Sequence, residues 1–331
     1  MALLEIRNLS VGIKRRGKCL RAVKEISFEI EAGEITALAG ESGGGKTLTA
    51  LSIPRLLPEA ASILGGEIIF DSAPLHSLGE NEMRKHRGKD IAMIFQEPQQ
   101  ALNPLMRIGT QIAETPLLHG ERNKKQARRA ALEIIDSMGF TDPEKIYGAY
   151  PHQLSLGMCQ RIMIAIAAIS RPKLLIADEP AASLDTATQT QILDILARMN
   201  KEFGTTILFI SHDLPLIRRF CKRLIIMYGG KIFEDGPAEK ICAKPAHPYT
   251  QGLIAAIPSK EQRGSPLPGI AGRSPSIEDF LPGCPFAPRC PRVLAQCRES
   301  FPPLTILGAG QRMYCYNPGG DSPSVTEAGN V

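Results

Sequence analysis

Along residues 3–70 hydrophobic and polar positions alternate in short runs, as in Ala22-Val-Lys-Glu-Ile-Ser-Phe-Glu-Ile30, and turn residues such as Ala32-Gly33 interrupt them. A period of two predicts strands with one buried face, so the chain opens on a sheet-rich segment. Between about Pro98 and Tyr150 the alternation gives way to helical spacing. Ala127, Ala131, Ile134, Ile135 and Met138 share one face of a helix predicted over 124–138, within a helical insert. Strand and helix then alternate. Residues 174–177 and 206–210 are unbroken apolar runs suited to strands buried on both faces of a parallel sheet, and 189–200 reads as the crossover helix between them. Past Ile241, Pro258, Pro266, Pro268, Pro275 and Pro282 interrupt any long element and predict a loop-rich extension. Residues 317–331 are short of large apolar side chains and are expected to be disordered.

Composition narrows the class. With 331 residues, 43% of them hydrophobic, the chain can bury one large core with an appendage, which excludes a disordered or fibrous protein. A formal net charge of +5 is too small an imbalance to argue for nucleic acid and leaves only a weak attraction to an anionic membrane surface. The first residues lack the charged start, apolar stretch and cleavage site of a secretory signal, so secretion is not expected. The longest apolar runs, such as 162–169, fall short of the ~20 residues of a spanning helix. Eight cysteines in such a chain are expected to be reduced thiols or metal ligands. Four of them, Cys284, Cys290, Cys297 and Cys315, crowd the last fifty residues, whereas Cys19, Cys159, Cys221 and Cys242 are scattered and read as small apolar side chains.

Two segments carry chemistry. Gly40-Glu41-Ser42-Gly43-Gly44-Gly45-Lys46-Thr47 matches the phosphate loop G-x-x-x-x-G-K-[ST], after a strand-like run and before a helix-like segment that begins near Leu48. Glycines free the backbone N–H groups to wrap phosphates, Lys46 neutralises the β and γ oxygens, and the Thr47 hydroxyl suits Mg²⁺. Downstream, the apolar run from Leu174 ends in Asp178 and Glu179. Asp178 is placed to reach a Mg²⁺ shell, and Glu179 to polarise the water that attacks a γ-phosphate.

With these two in place, Tyr150-Pro-His-Gln-Leu154-Ser155-Leu156-Gly157-Met158-Cys-Gln160-Arg161 resembles the signature motif of ABC ATPases, usually Leu-Ser-Gly-Gly-Gln. The resemblance implies that Ser155 and Gly157 grip the γ-phosphate bound by a second subunit. Leu156 departs from the motif, standing where the family has its first glycine, and its side chain would crowd that approach. Gln96 resembles the Q-loop residue that touches Mg²⁺ or the attacking water, Ala182-Ser183-Leu184-Asp185 the D-loop, and His212 the switch histidine that contacts the γ-phosphate. The usual aromatic partner of adenine is missing from residues 11–16, where Ile13 or an arginine face would substitute. The implied fold is an α/β phosphate-loop ATPase with an antiparallel β subdomain, a parallel core sheet and a helical subdomain over about 97–165. Its nucleotide-binding domain would span 1–240, an extension 241–316, and a tail 317–331.

His247-Pro-Tyr249-Thr250-Gln-Gly-Leu253 and Gly283-Cys284-Pro-Phe286-Ala-Pro-Arg289-Cys290-Pro resemble the C-terminal extension of oligopeptide and dipeptide importer ATPases. The four cysteines follow C-x5-C-x6-C-x17-C, without the C-x2-C pairs of zinc ribbons. Their chemistry leaves a cluster, zinc and bare thiols open, and the resemblance implies a [4Fe–4S] cluster. It also implies an ATP hydrolase on the cytoplasmic face of the inner membrane. The implied partners are two permease subunits, a second homologous ATPase, and indirectly an extracytoplasmic substrate-binding protein, with no nucleic acid. Residues 97–106 would dock a permease helix, and the altered Leu156 suggests a hetero-pair with unequal sites. The alternatives are an importer ATPase for nickel or metal chelates, and a non-transport ABC ATPase, which usually carries two cassettes or a long coiled coil.

Overall fold

The alternating opening of the chain forms two strands of 14 residues each, Ala2–Arg15 and Lys18–Glu31, longer than the short runs suggested. A computed structural model of the chain describes residues 2–120, 123–182, 184–258, 269–279, 282–308 and 310–319. The expected disordered tail therefore lies, beyond Gly319, outside the described residues. The chain divides into two compact units. One takes Ile30–Glu34 and Asp71–Ile210 with the first residues; the other takes Leu4–Glu29, Ile35–Phe70 and the described residues from Ser211 on.

In the second unit, Ala61–Phe70 pairs antiparallel with Ala2–Arg15, from Leu4 opposite Phe70 to Ile13 opposite Ala61, with the register shifting around Ser10. Leu4 and Ile6, two residues apart, are buried as period-two alternation requires, and past the register shift Leu9 and Val11 are buried at the opposite parity. A second set of strands starts from Ile35–Ala39, every residue of which is buried. It runs parallel to Arg223–Tyr228, which pairs antiparallel with Lys231–Pro237. Two strands of the extension continue the sheet: Gln311–Tyr314 pairs with Lys231–Pro237, and Leu304–Leu307 with Gln311–Tyr314. The reading of this region as loops missed them. At four residues each they are too short to show a period, and the upstream strand that Gln311–Tyr314 joins lies almost 80 residues earlier.

The extension also builds more core than its prolines suggested. Tyr249 and Phe286 are fully buried and pack with Tyr228 at ring separations of 4.5, 5.3 and 5.4 Å. Beneath them Glu234, wholly buried, accepts the backbone N–H groups of Ala246 and His247 and the Gln311 amide. A carboxylate with three donors ties the strand Lys231–Pro237 to the extension.

In the first unit, Ile91–Ile94, Leu174–Asp178 and Thr206–Ile210 form parallel pairs in that order. The latter two are buried at every position, which is why they read as continuous apolar runs. The expected helical insert is present as Pro98–Ala101, Ile108–Leu118, Lys124–Ser137, Pro143–Gly148 and Leu156–Ala168. Asn123 starts the third of these by accepting the Gln126 N–H, while the Gln126 side chain returns to the Asn123 N–H. The crossover helix runs over Thr186–Phe203, beginning at the Asp185 cap and ending at Gly204 in the left-handed region.

Candidate nucleotide site

The phosphate loop joins the strand Ile35–Ala39 to the helix Lys46–Ser52. Its shape is one that only glycine makes. Gly40 sits at φ +140°, and a Cβ there would lie 2.0 Å from the carbonyl oxygen of Met227; Gly45, at φ +98°, starts the helix from the left-handed region. Lys46 is buried, and its Nζ donates to the carbonyls of Gly40 at 2.7 Å and Glu41 at 2.9 Å, folding the side chain back over the loop. Ser42, Gly43 and Thr47 are exposed along the loop and first helical turn. Buried cation and exposed hydroxyl are the equipment for a phosphate tail and its cation.

Residues of the extension hold this loop from behind. The Glu41 N–H donates to the Tyr249 phenol oxygen at 2.7 Å. Arg289 Nη1 donates to the Glu41 carboxylate at 2.8 Å and to the Tyr228 hydroxyl at 3.0 Å. His247 caps the helix Pro248–Ala255, its Nδ1 accepting the Tyr249 N–H at 3.0 Å, and full burial pushes its pKa down to about 3. His212 is exposed, one residue before Asp213, which caps the helix Leu214–Phe220 by accepting the Leu216 N–H. Gly40, Glu41, His212, Leu253 and Pro258 line a cavity of about 450 Å³. Gly40 and His212 stand out in the sequence by motif, whereas Tyr249 and Arg289 carry no local signal beyond their place in the extension.

In the other unit Asp178 ends its strand buried, and Glu179 follows half-exposed. Glu179 adopts φ +50°, unusual for a non-glycine residue, with its N–H on the Ile210 carbonyl at 2.9 Å. The bend turns the chain away from the strand directly after the buried carboxylate. Gln96 is exposed just past the strand Ile91–Ile94. Ser155 is exposed and caps the helix Leu156–Ala168, its hydroxyl accepting the Met158 N–H. Leu156 opens that helix, and a Cβ on Gly157 would come 3.0 Å from the Thr188 methyl. Asp185 caps the crossover helix, and the Thr188 N–H and hydroxyl hold its carboxyl below the usual range. Ser183 of the expected D-loop lies outside the described residues.

Comparison with known proteins places these features. Residues 23–182 match the ABC transporter family, and residues 233–297 match the oligopeptide/dipeptide transporter C-terminal region. A probable peptide ABC transporter ATP-binding protein of Sinorhizobium fredii, y4tR, is 42% identical over 95% of this chain and 94% of its own length. AppD, an oligopeptide transport ATP-binding protein of Bacillus subtilis, is 41% identical over 95% of this chain and 96% of its own. The chain belongs to the ATP-binding proteins of oligopeptide/dipeptide ABC transporters. OppD of Escherichia coli, another oligopeptide transport ATP-binding protein, is 38% identical over 96% of this ABC ATPase and 94% of its own chain. The ATP-binding cassette MJ0796, solved as a dimer in a post-hydrolysis state with ADP and Pi, superposes with a TM-score of 0.65 at 26% identity, covering 71% of this chain and 98% of its own. No helix among the described residues is long and apolar enough to cross a membrane.

None of the four late cysteines of this ABC ATPase is paired in a disulfide. Cys284 and Cys297 are buried, and the Cys284 N–H donates to the Cys297 carbonyl at 2.8 Å. Burial, with the other three sulfurs as lesser causes, pushes the Cys284 thiol up to about 12. Cys315 is pushed up to about 11, again chiefly by burial. Among the described residues no three His, Cys, Asp or Glu side chains stand close enough to hold a metal ion. A single Zn²⁺ with bonds of about 2.3 Å to sulfur would need a tighter set.

Proposed function

We propose that this chain hydrolyses ATP to power uptake of oligopeptides or dipeptides through a membrane complex. The observation that carries the reading is the glycine-only loop Gly40–Gly45 with Lys46 folded over it, in a chain whose extension matches the peptide-transporter type. Lys46 takes the β and γ oxygens, with Gly43, Gly44 and Leu48 of the loop and first turn around the phosphates. Thr47, Asp178 and Gln96 supply the hydroxyl, carboxylate and amide oxygens that suit Mg²⁺. The cation, when bound, neutralises charge developing on the phosphate oxygens. Glu179 polarises the attacking water, and His212 contacts the γ-phosphate.

Ser155, Gly157 and Asp185 are proposed to face a second cassette; the similar cassette MJ0796 is a dimer. Because Leu156 replaces the first signature glycine, that second cassette is proposed to be a different, homologous chain, and the site on this chain's own loop the more active one. The motor domain spans 1–240 and the extension 241–316. Residues 97–106 dock a permease helix; Leu105 there is 86% exposed, an apolar side chain with nothing of its own unit to cover it. Two permease subunits and a capture protein outside complete the importer, and the ATPase sits on the cytoplasmic face. The Cys284, Cys290, Cys297 and Cys315 set is proposed to hold a [4Fe–4S] cluster. Burial raises the Cys284, Cys290 and Cys315 thiols, and the positive irons of such a group would favour the thiolates that burial disfavours.

The test is turnover of the assembled transporter. Glu179→Gln is expected to lower ATP hydrolysis by about a hundred- to ten-thousand-fold and to stop peptide uptake by proteoliposomes, with ATP still bound. Full turnover in that variant would remove Glu179 from the role.

A further inference from the structure

The phosphate loop of this chain contains an acid. Glu41 directly follows Gly40 in a loop otherwise equipped for anions, and its carbonyl accepts from Lys46 Nζ. An unbalanced carboxylate here would repel a triphosphate and weaken what Lys46 supplies. The structure balances it with a residue almost 250 positions away: Arg289 reaches the Glu41 carboxylate at 2.8 Å with its side chain 9% exposed and that of Glu41 22%.

The arginine is itself held on every side. Nε donates to the Ala271 carbonyl at 2.9 Å, Nη2 to the Ile270 carbonyl at 3.2 Å, and Nη1 also to the Tyr228 hydroxyl and Ser274. Ser274 in turn donates to the same Glu41 oxygen. The Arg289 backbone belongs to the short turn Ala287–Arg289, bracketed by Cys284 and Cys290, where the Arg289 N–H donates to the Phe286 carbonyl. Below it, the Tyr249 phenol oxygen takes the Glu41 N–H. Both the charge and the backbone of one loop residue are thus managed by the extension.

We infer that Arg289 is a positioning residue for ATP, neutralising Glu41 and fixing the loop so that Lys46 meets the phosphates in a field without a competing anion. Tyr249 serves the same end by holding the Glu41 backbone. The inference rests on the proposed ATP site and adds to it a dependence on the extension. Because Arg289 acts on the loop through the Glu41 carboxylate, its loss is expected to change ground-state affinity more than the hydrolytic step.

The experiment is titration of the full-length chain, purified with its accompanying subunits, with the β,γ-imido analogue of ATP and Mg²⁺. Arg289→Ala is expected to weaken binding about tenfold while kcat at saturating ATP stays within about twofold. Adding Glu41→Gln to Arg289→Ala should restore most of the affinity, because the offending charge is gone; a purely structural role would not be rescued this way. Arg289→Lys, which keeps the charge, should lie between. Should Arg289→Ala fail to fold, Arg289→Lys and Glu41→Gln/Arg289→Lys carry the same comparison. Wild-type affinity in the arginine variants, or no rescue by Glu41→Gln, would overturn the inference while leaving the ATP site intact. Failure of the unaltered chain to bind the analogue would overturn both.

Discussion

Gly40 and Gly43 occupy the same loop at positive φ, yet their surroundings differ sharply. A Cβ on Gly40 would meet the Met227 carbonyl oxygen at 2.0 Å, whereas one on Gly43 would meet nothing within 4 Å. Gly43→Ala is therefore expected to cost only the left-handed penalty, about 1–2 kcal/mol, in urea unfolding. Gly40→Ala should cost clearly more and abolish ATP binding, because the strand bearing Met227 has to move. Equal effects of the two would mean that backbone crowding does not shape the loop. At this scale the chemistry-bearing residues were legible because each is a fixed type at fixed spacing: Lys46 after its glycines, Asp178 and Glu179 at the end of an apolar run. Arg289 was not. Its partner Glu41 is 248 positions away, and no local pattern reports a contact of that span.

Helix Lys124–Ser137 and strands Leu174–Asp178 and Thr206–Ile210 were readable because burial on one stripe or on both faces leaves its period in the residues themselves. The strands Leu304–Leu307 and Gln311–Tyr314 were not, since what makes them strands is an edge offered by Lys231–Pro237. Glu234 on that edge strand is the fastening between the elements. Its Glu234→Ala variant would leave the Ala246 and His247 N–H groups and the Gln311 amide without their acceptor in a dry site. The expected loss is about 2–5 kcal/mol of stability by denaturant titration, with proteolysis first entering the extension. A loss below about 1 kcal/mol would show that the extension is attached by other means.

For the molecule as a whole, the buried His247 sets an acid limit. Burial lowers its pKa from 6.5 to about 3, so the folded chain keeps the ring neutral while an unfolded chain protonates it below 6.5. This contribution is fully present above pH 6.5 and is lost as pH falls toward 3. Glu234, whose carboxylate accepts the His247 N–H, has its pKa raised by burial and so works in the opposite sense. Comparing the unfolding midpoint of the native chain with that of His247→Asn, which keeps an acceptor for the Tyr249 N–H, isolates the histidine: the variant should lose less stability between pH 6.5 and 4.5. Parallel pH profiles would contradict the assignment.

Nucleotide capture by the loop under Lys46 is the step on which hydrolysis and transport depend. The most direct measurement is equilibrium binding of ATP with Mg²⁺ to the purified, full-length chain and to Lys46→Ala. Micromolar to millimolar binding by the native chain, with a loss of at least about tenfold in the variant, is the predicted result. Equal binding by the two proteins, or none by the native chain, would contradict it.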